Sequence, residues 1–337
     1  MIQEIIESTP HNLEIVNSWL VTDNKLRGSR KPLVSVSGGS DSDIVVHLCA
    51  TVDEKKKATY VFFDTGLELQ ATKEHIKALE DKYGISIETS KAIKPIPLCC
   101  REYGQPFLSK NVSEFISRLQ RHRFKWEDRP YEELYAEYPK CKAALKWWCN
   151  EWGERSRFNI SFNKWLKEFL IENPPGFQIS NKCCRYAKKL VAKRFIEAGN
   201  FDLNIVGVRK AEGGARSAAY KNCFTPETAK TIAQYRPLFW YKQDTKQEFE
   251  EHYGIKHSDC YEVWGLPRTG CAGCPYAKDF ESEIAAIEKY EPKMYKALNR
   301  VFGESYAYTR QYRAFQQMMN ERTMTHGCCK THHRVFP

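Results

Sequence analysis

Long apolar runs are missing from this chain. None of its 337 residues lies in a stretch approaching the roughly 18 apolar residues of a membrane-spanning helix. The start, Met1-Ile2-Gln3-Glu4, is acidic and lacks the basic and apolar regions of a secretory signal. These absences predict a cytoplasmic protein with no membrane partner. No Gly-Lys-Ser/Thr follows the glycine pair Gly38-Gly39, which excludes a Walker A loop there.

What the chain does have is cysteine, thirteen in all. In a reducing compartment that number points to metal or redox chemistry before disulfides. Lysine and arginine exceed aspartate and glutamate by 52 − 42 = +10. A polyanionic partner would explain the excess, and so would a multiply phosphorylated nucleotide. The length suits about two domains, or one α/β domain with an insertion.

The chemistry starts at residues 33–43. Leu33 to Val36 reads as a short apolar strand, Ser37 to Asp41 as a tight turn, and Ser42 to Ala50 as a helix. Two glycines let a bound anion approach the backbone, and the helix start offers N–H groups and a favourable dipole. The run Ser37-Gly38-Gly39-Ser40-Asp41-Ser42 resembles the PP-loop of the ATP-pyrophosphatase and phosphoadenylyl-sulfate (PAPS) reductase superfamily. The alternative is an ordinary strand-to-helix turn. Ala58 to Phe63 is a continuous apolar run, as expected of a parallel strand buried on both faces. It ends in Asp64-Thr65-Gly66, which resembles the Asp-Thr-Gly that helps frame adenosine in PAPS reductases. Glu74 to Tyr83 reads as the next helix and Ile85 to Thr89 as a third strand. Strand and helix alternate as in a doubly wound sheet, whose ligands sit at the carboxyl ends of the strands.

Residues 99–176 break that rhythm with tryptophans among basic side chains; helical spacing fits Tyr131 to Trp152. Interleaved aromatics and cations can bind single-stranded nucleic acid. They can equally be the private core of a helical insertion, which is the reading we favour.

Cys183-Cys184, followed by basic residues, and the later Cys271-Ala272-Gly273-Cys274 offer four thiolates for a [4Fe–4S] cluster. Zinc is the second choice, because adjacent cysteines are awkward ligands for one small ion. Order, spacing and flanks resemble iron–sulfur adenylyl-sulfate (APS) reductases. Between the pairs, Gly207-Val208-Arg209 and Arg216 resemble the Gly-x-Arg … Arg segment of PAPS reductases, whose arginines hold the nucleotide's anionic end. Gly213 stands where that family has a serine. Arg236 to Thr245 resembles the family's Pro-Ile-x-x-Trp-x-x-x-Asp segment. It reads as scaffold, with Trp240 a buried anchor and Asp244 a helix cap.

The resemblance implies a Rossmann-like adenine nucleotide α-hydrolase fold, a mostly parallel sheet flanked by helices. A helical cap at 1–30, an insertion at 99–176 and a helical region at 276–337 would surround the domain at 31–98 and 177–275. It implies an adenine nucleotide (APS, PAPS or ATP) held by Ser37 to Ser42, Asp64, Thr65, Gly66, Arg209 and Arg216. It also implies a cluster on Cys183, Cys184, Cys271 and Cys274. The Glu-Cys-Gly-x-His tail of sulfonucleotide reductases is absent. Cys328 and Cys329 beside Lys330 are the candidate substitute nucleophiles; the alternative is a small metal site or an inert tail. Two activities remain open. One is reduction of an adenylyl sulfate with a thioredoxin-like partner. The other is ATP-dependent sulfur transfer to nucleic acid, as in tRNA thiolation or DNA phosphorothioation enzymes. A non-catalytic iron–sulfur regulator is a third class, and a homo-oligomer is compatible with all three.

Overall fold

The computed structural model describes residues 2–213 and 219–328. The chain divides into two compact units. The first comprises Met1–Ile96, Arg185–Ala272 and Ser282–Met294. It holds a six-stranded sheet: β1 (Pro32–Val36), β2 (Thr59–Asp64), β3 (Ile87–Lys91), β4 (Leu203–Val206), β5 (Phe224–Thr225) and β6 (Ala233–Tyr235). Their order is β3-β2-β1-β4-β6-β5. All neighbours are parallel except β5 and β6. The sheet is therefore mostly parallel and flanked by helices, as the sequence implied.

The apolar strand residues explain this arrangement. Leu33, Val34, Val61 and Ile205 are fully buried, as befits strands covered on both faces. Helix Ser40–Val52 turns Ile44, Val45, Val46 and Leu48 into the core, while Trp19 of helix Leu13–Gly28 packs into the same cluster. Strand order reverses at β1, with β2 on one side and β4 on the other. Such a switch point opens a crevice beyond the strands' carboxyl ends.

The second unit comprises Pro97–Cys184, Gly273–Glu281 and Tyr295–Pro337. Its core is aromatic: Phe107, Trp147, Trp148, Phe169, Tyr308 and Phe315 cluster together. Trp147 and Trp148 are buried and cannot stack on bases, whereas Trp152 and Phe158 are exposed. The helical stretch expected over Tyr131 to Trp152 is broken. It runs Tyr131–Glu137, then a 3₁₀ turn at Pro139–Cys141, then Lys142–Trp148. Pro139 has no N–H to continue the first helix.

Two local expectations need correction. Trp240 is not a buried anchor: it is 46% exposed, while Leu238, Phe239 and Tyr241 fill the interior around it. The chain turns here, so consecutive side chains cannot all face inward, and Trp240 lies outside under Lys210. Asp244 does not cap its helix. Helix Gln243–His252 is preceded by Lys242, and Asp244 sits in the first turn, where it accepts from the Thr245 N–H. Among the described residues, no helix is long and apolar enough to cross a membrane.

Candidate functional site

In the first unit, the loop after β1 is built to be small. Gly38 has φ +67°, and a Cβ there would stand 2.6 Å from Thr72 Cγ2. Gly39 is the extended residue just before helix Ser40–Val52. The Ser42 and Asp43 N–H groups both donate to the Gly39 carbonyl, and Ser42 Oγ accepts from the Ser37 N–H at 2.9 Å. These bonds hold the turn closed and direct the first helical N–H groups outward from the helix end. Gly207, just past β4, comes so close that a Cβ would lie 3.0 Å from the Asp41 carbonyl. Glycine there lets the two strand ends meet at the switch point.

Two cations converge on this loop. Arg209 is 9% exposed, and its Nε donates to both Asp41 carboxylate oxygens at 2.9 Å. Lys246, from helix Gln243–His252, donates to Ser40 Oγ at 2.6 Å and lies 3.3 Å from Asp41 Oδ1. Burial opposes ionisation of Asp41. A hydrogen bond with Glu212 and the charges of Arg209 and Lys246 outweigh it, so its pKa falls. The loop thus has two cations held beside it by a largely buried carboxylate.

Asp64 is the last residue of β2, and its Oδ1 accepts from the Gly66 N–H at 2.7 Å. The Thr65 hydroxyl donates to Glu68, and burial raises the pKa of that carboxyl despite Lys188 and Thr65. Asp64-Thr65-Gly66 and Ser37–Ser42 therefore lie at the carboxyl ends of adjacent strands. Arg216 lies outside the described residues. So does Cys329, while Cys328 is the last residue of helix Pro292–Cys328.

Several site residues escaped the sequence reading. Lys246 is one, since nothing in its local sequence separates it from surface lysines. Tyr261 and Thr269 are two more. Their hydroxyls are 3.1 Å apart, and both approach the open face of Gly39. A third group is a buried polar chain. Asp43 Oδ2 meets His257 Nδ1 at 2.7 Å, and Asp43 Oδ1 lies 3.0 Å from His75 Nε2. His257 Nε2 meets Glu250 at 2.8 Å, and Glu250 lies 3.2 Å from Lys246. Nothing in the local sequence pointed to this chain, because Asp43 and His257 are 214 positions apart.

Two results are expected here. Lys246→Met should weaken binding of an adenine nucleotide roughly tenfold, about 1.4 kcal/mol, by removing one cation from the loop. Isothermal titration checks this, and unchanged affinity would reduce Lys246 to a purely structural role. Burial disfavours charge on His257, but the hydrogen bonds to Asp43 and Glu250 prevail and raise its pKa to about 9. A raised histidine stabilises the fold fully below its unfolded pKa of about 6.5, and loses that contribution as pH rises through about 9. His257→Gln should therefore cost about 2 kcal/mol at pH 6 and little at pH 10. Thermal melts across that range decide; a pH-independent difference would contradict the protonated bridge.

The second unit gathers thiols. Cys183 is 5% exposed. A hydrogen bond with Cys100 is the largest influence on its thiol, followed by Cys184 and burial, with Cys274 also within electrostatic reach. The net effect pushes the Cys183 pKa up. Burial, and then Cys183, Cys184 and Cys274, push up the neighbouring Tyr276 hydroxyl. Among the described residues, no group of three or more His, Cys, Asp or Glu already has metal-binding geometry. Cys271 belongs to the first unit, where the neighbouring Ala272 N–H donates to the Leu67 carbonyl at 3.0 Å.

Residues 31–106 match the family model of the phosphoadenosine phosphosulfate reductase domain. The matched segment spans β1, the loop, β2 and β3. No curated protein matches the chain. Among solved structures it is similar to a PAPS reductase from Candida auris in a phosphate complex. The TM-score is 0.44 and identity 10%, covering 80% of this chain and 93% of that one. It is similar to a U34-tRNA thiolase from Methanococcus maripaludis with its [4Fe-4S] cluster, at TM-score 0.36 and 15% identity, covering 89% and 80%. It is also similar to an NH3-dependent NAD synthetase from Campylobacter jejuni with nitrate, at TM-score 0.37 and 11% identity, covering 91% and 96%.

Proposed function

We propose that this chain, with its PAPS reductase domain segment, is an iron–sulfur enzyme that binds an adenine nucleotide and performs sulfur chemistry on it. The observation that carries the reading is the loop Ser37–Ser42 at the switch point, with Arg209 and Lys246 drawn to it by Asp41. Ser37 to Ser42 receive the phosphate or sulfate, and Arg209, Lys246 and Arg216 neutralise it. Asp64, Thr65 and Gly66 frame the nucleoside.

The reaction we favour is thiol-dependent reduction of an adenylyl sulfate. A cysteine thiolate forms a bond to the sulfate sulfur. The sulfur–oxygen bond to the nucleotide breaks, and AMP or its 3′-phosphorylated form leaves with the electron pair. A dithiol reductant of the thioredoxin type then attacks the cysteine sulfur and releases sulfite, ending as a disulfide. Cys328 and Cys329 are the nucleophile candidates, beside basic Lys330. Cys183, Cys184, Cys271 and Cys274 would hold the cluster, which would supply a polarising, redox-active centre.

The charge of +10 and the exposed Trp152 and Phe158 support a second reading, ATP-dependent sulfur transfer to nucleic acid. Anaerobic protein assayed side by side with APS, PAPS and ATP separates the two. Sulfite release with a dithiol, lost in the Cys328→Ser, Cys329→Ser double variant, supports reduction by this tail. AMP and pyrophosphate release stimulated by nucleic acid supports the transferase. Nucleotide binding without turnover would leave a regulator.

A further inference from the structure

We propose that His257 is a positioning residue for the loop Ser37–Ser42: its proton shares Glu250 with Lys246 and so leaves the lysine turned towards Ser40 and Asp41. This rests on the nucleotide reading above. The contacts converge on one oxygen. Glu250 Oε1 meets His257 Nε2 at 2.8 Å and Lys246 Nζ at 3.2 Å. The same Nζ lies 2.6 Å from Ser40 Oγ and 3.3 Å from Asp41 Oδ1. Lys246 and Glu250 are one turn apart on helix Gln243–His252, so Glu250 and the loop compete for a single ammonium group. Lys246 is 6% exposed, and little water is at hand to weaken that competition.

His257 is held between two carboxyl groups. Opposite Glu250, its Nδ1 meets Oδ2 of the fully buried Asp43 at 2.7 Å. Burial works against charge on the ring, but the bonds to Asp43 and Glu250 prevail and raise its pKa to about 9. The remaining neighbours are few. Tyr261 sets its ring 5.6 Å from the imidazole, and Glu262 accepts from the His257 backbone N–H at 3.0 Å. From helix Gln70–Tyr83, His75 Nε2 lies 3.0 Å from the other Asp43 oxygen. His257 and His75 also line a cavity of about 510 Å³ with Glu74, Lys82, Lys256 and Asp259, which leaves the imidazole in reach of solvent protons. When the proton leaves His257, Glu250 loses one of its two cations and attracts Lys246 alone, away from the loop. An anion on the loop holds Lys246 there, so anion binding and protonation of His257 favour each other.

The test is isothermal titration of the full-length protein with APS and with ATP at pH 7.5 and pH 9.5, a range in which their phosphates keep their charge. Wild-type affinity should fall about threefold across it. His257→Gln, which cannot take the proton, should bind about fivefold more weakly than wild type at pH 7.5 and show no further fall at pH 9.5. Glu250→Gln removes the competitor, so it should bind within about twofold of wild type and also lose the pH dependence. The double variant should regain the affinity that His257→Gln loses, a rescue that a merely structural histidine would not give. Thermal melts at both pH values accompany the titrations, and Glu250→Gln alone decides where His257→Gln has melted. A pH-independent wild type overturns the proposal. So does a double variant no tighter than a folded His257→Gln, or the wild-type pH dependence persisting in either single variant. Wild type that binds neither nucleotide would bring down the nucleotide reading itself, and this proposal with it.

Discussion

Gly39→Val is expected to lower adenine-nucleotide affinity at least about 100-fold, roughly 2.7 kcal/mol, while the protein stays folded. The reason is local. Gly39 has φ −98° and ψ 156°, an extended conformation that a β-branched residue adopts without strain. A Cβ there would meet Tyr261 Oη at 3.2 Å, and Ser37 Oγ and Thr269 Oγ1 at 3.4 Å. Those hydroxyls must give by a few tenths of an ångström, which the fold can absorb. The two added methyl groups would then occupy the space where an anion meets the helix N-terminus. Gly38 is the wrong position for this experiment. Its left-handed backbone and the 2.6 Å approach to Thr72 would disturb the turn itself. Titration with APS, PAPS and ATP, alongside a thermal melt, is the measurement. A folded Gly39→Val protein with wild-type affinity would show that the loop is only a turn.

The second large effect is expected at Cys274. Cys274→Ser should yield colourless protein with less than about one iron per chain, against about four in wild type. Cys274 sits in a turn whose shape is strongly determined. Gly273 has φ +56°, and a Cβ on it would lie 2.6 Å from both Leu298 and Tyr306. The Tyr306 hydroxyl donates to the Gly273 carbonyl, and the Ala277 N–H donates to the Cys274 carbonyl at 2.8 Å. The turn that carries the thiol is thus firmly held, and a serine hydroxyl in place of the thiol is a poor ligand for iron. The unit's separate aromatic core should keep the variant folded. Metal analysis of anaerobic protein decides. Stoichiometric zinc without iron in the wild type would refute the cluster and leave a structural zinc site.

The strand–turn–helix at residues 32–52 was legible because its pattern is local. Ser37-Gly38-Gly39-Ser40-Asp41-Ser42 contains its own turn glycines, its helix start and its hydroxyls within six consecutive positions. The strands at Leu33–Val36 and Ala58–Phe63 were equally readable, because burial on both faces demands uninterrupted apolar residues. Helix ends were less so. The helix expected from Glu74 begins at Gln70, and the third strand runs Ile87–Lys91 rather than Ile85–Thr89. Ends are set by neighbouring segments, which a local pattern does not contain. Trp240 shows the same limit: its aromatic character predicted burial, but the turn around it had already given the interior to Phe239.

By itself, then, the sequence determined the strand–loop–helix cradle, the mostly parallel sheet and the supply of cysteines, each written in short-range spacing. Tertiary structure decided which distant groups complete the sites. Lys246 reaches Ser40 across 206 positions, and Arg209 reaches Asp41 across 168. His257 comes to the buried Asp43 from 214 positions away. The physical reason is the same in each case. Buried charges and thiols need partners, and the fold supplies them by bringing together segments that share no local pattern.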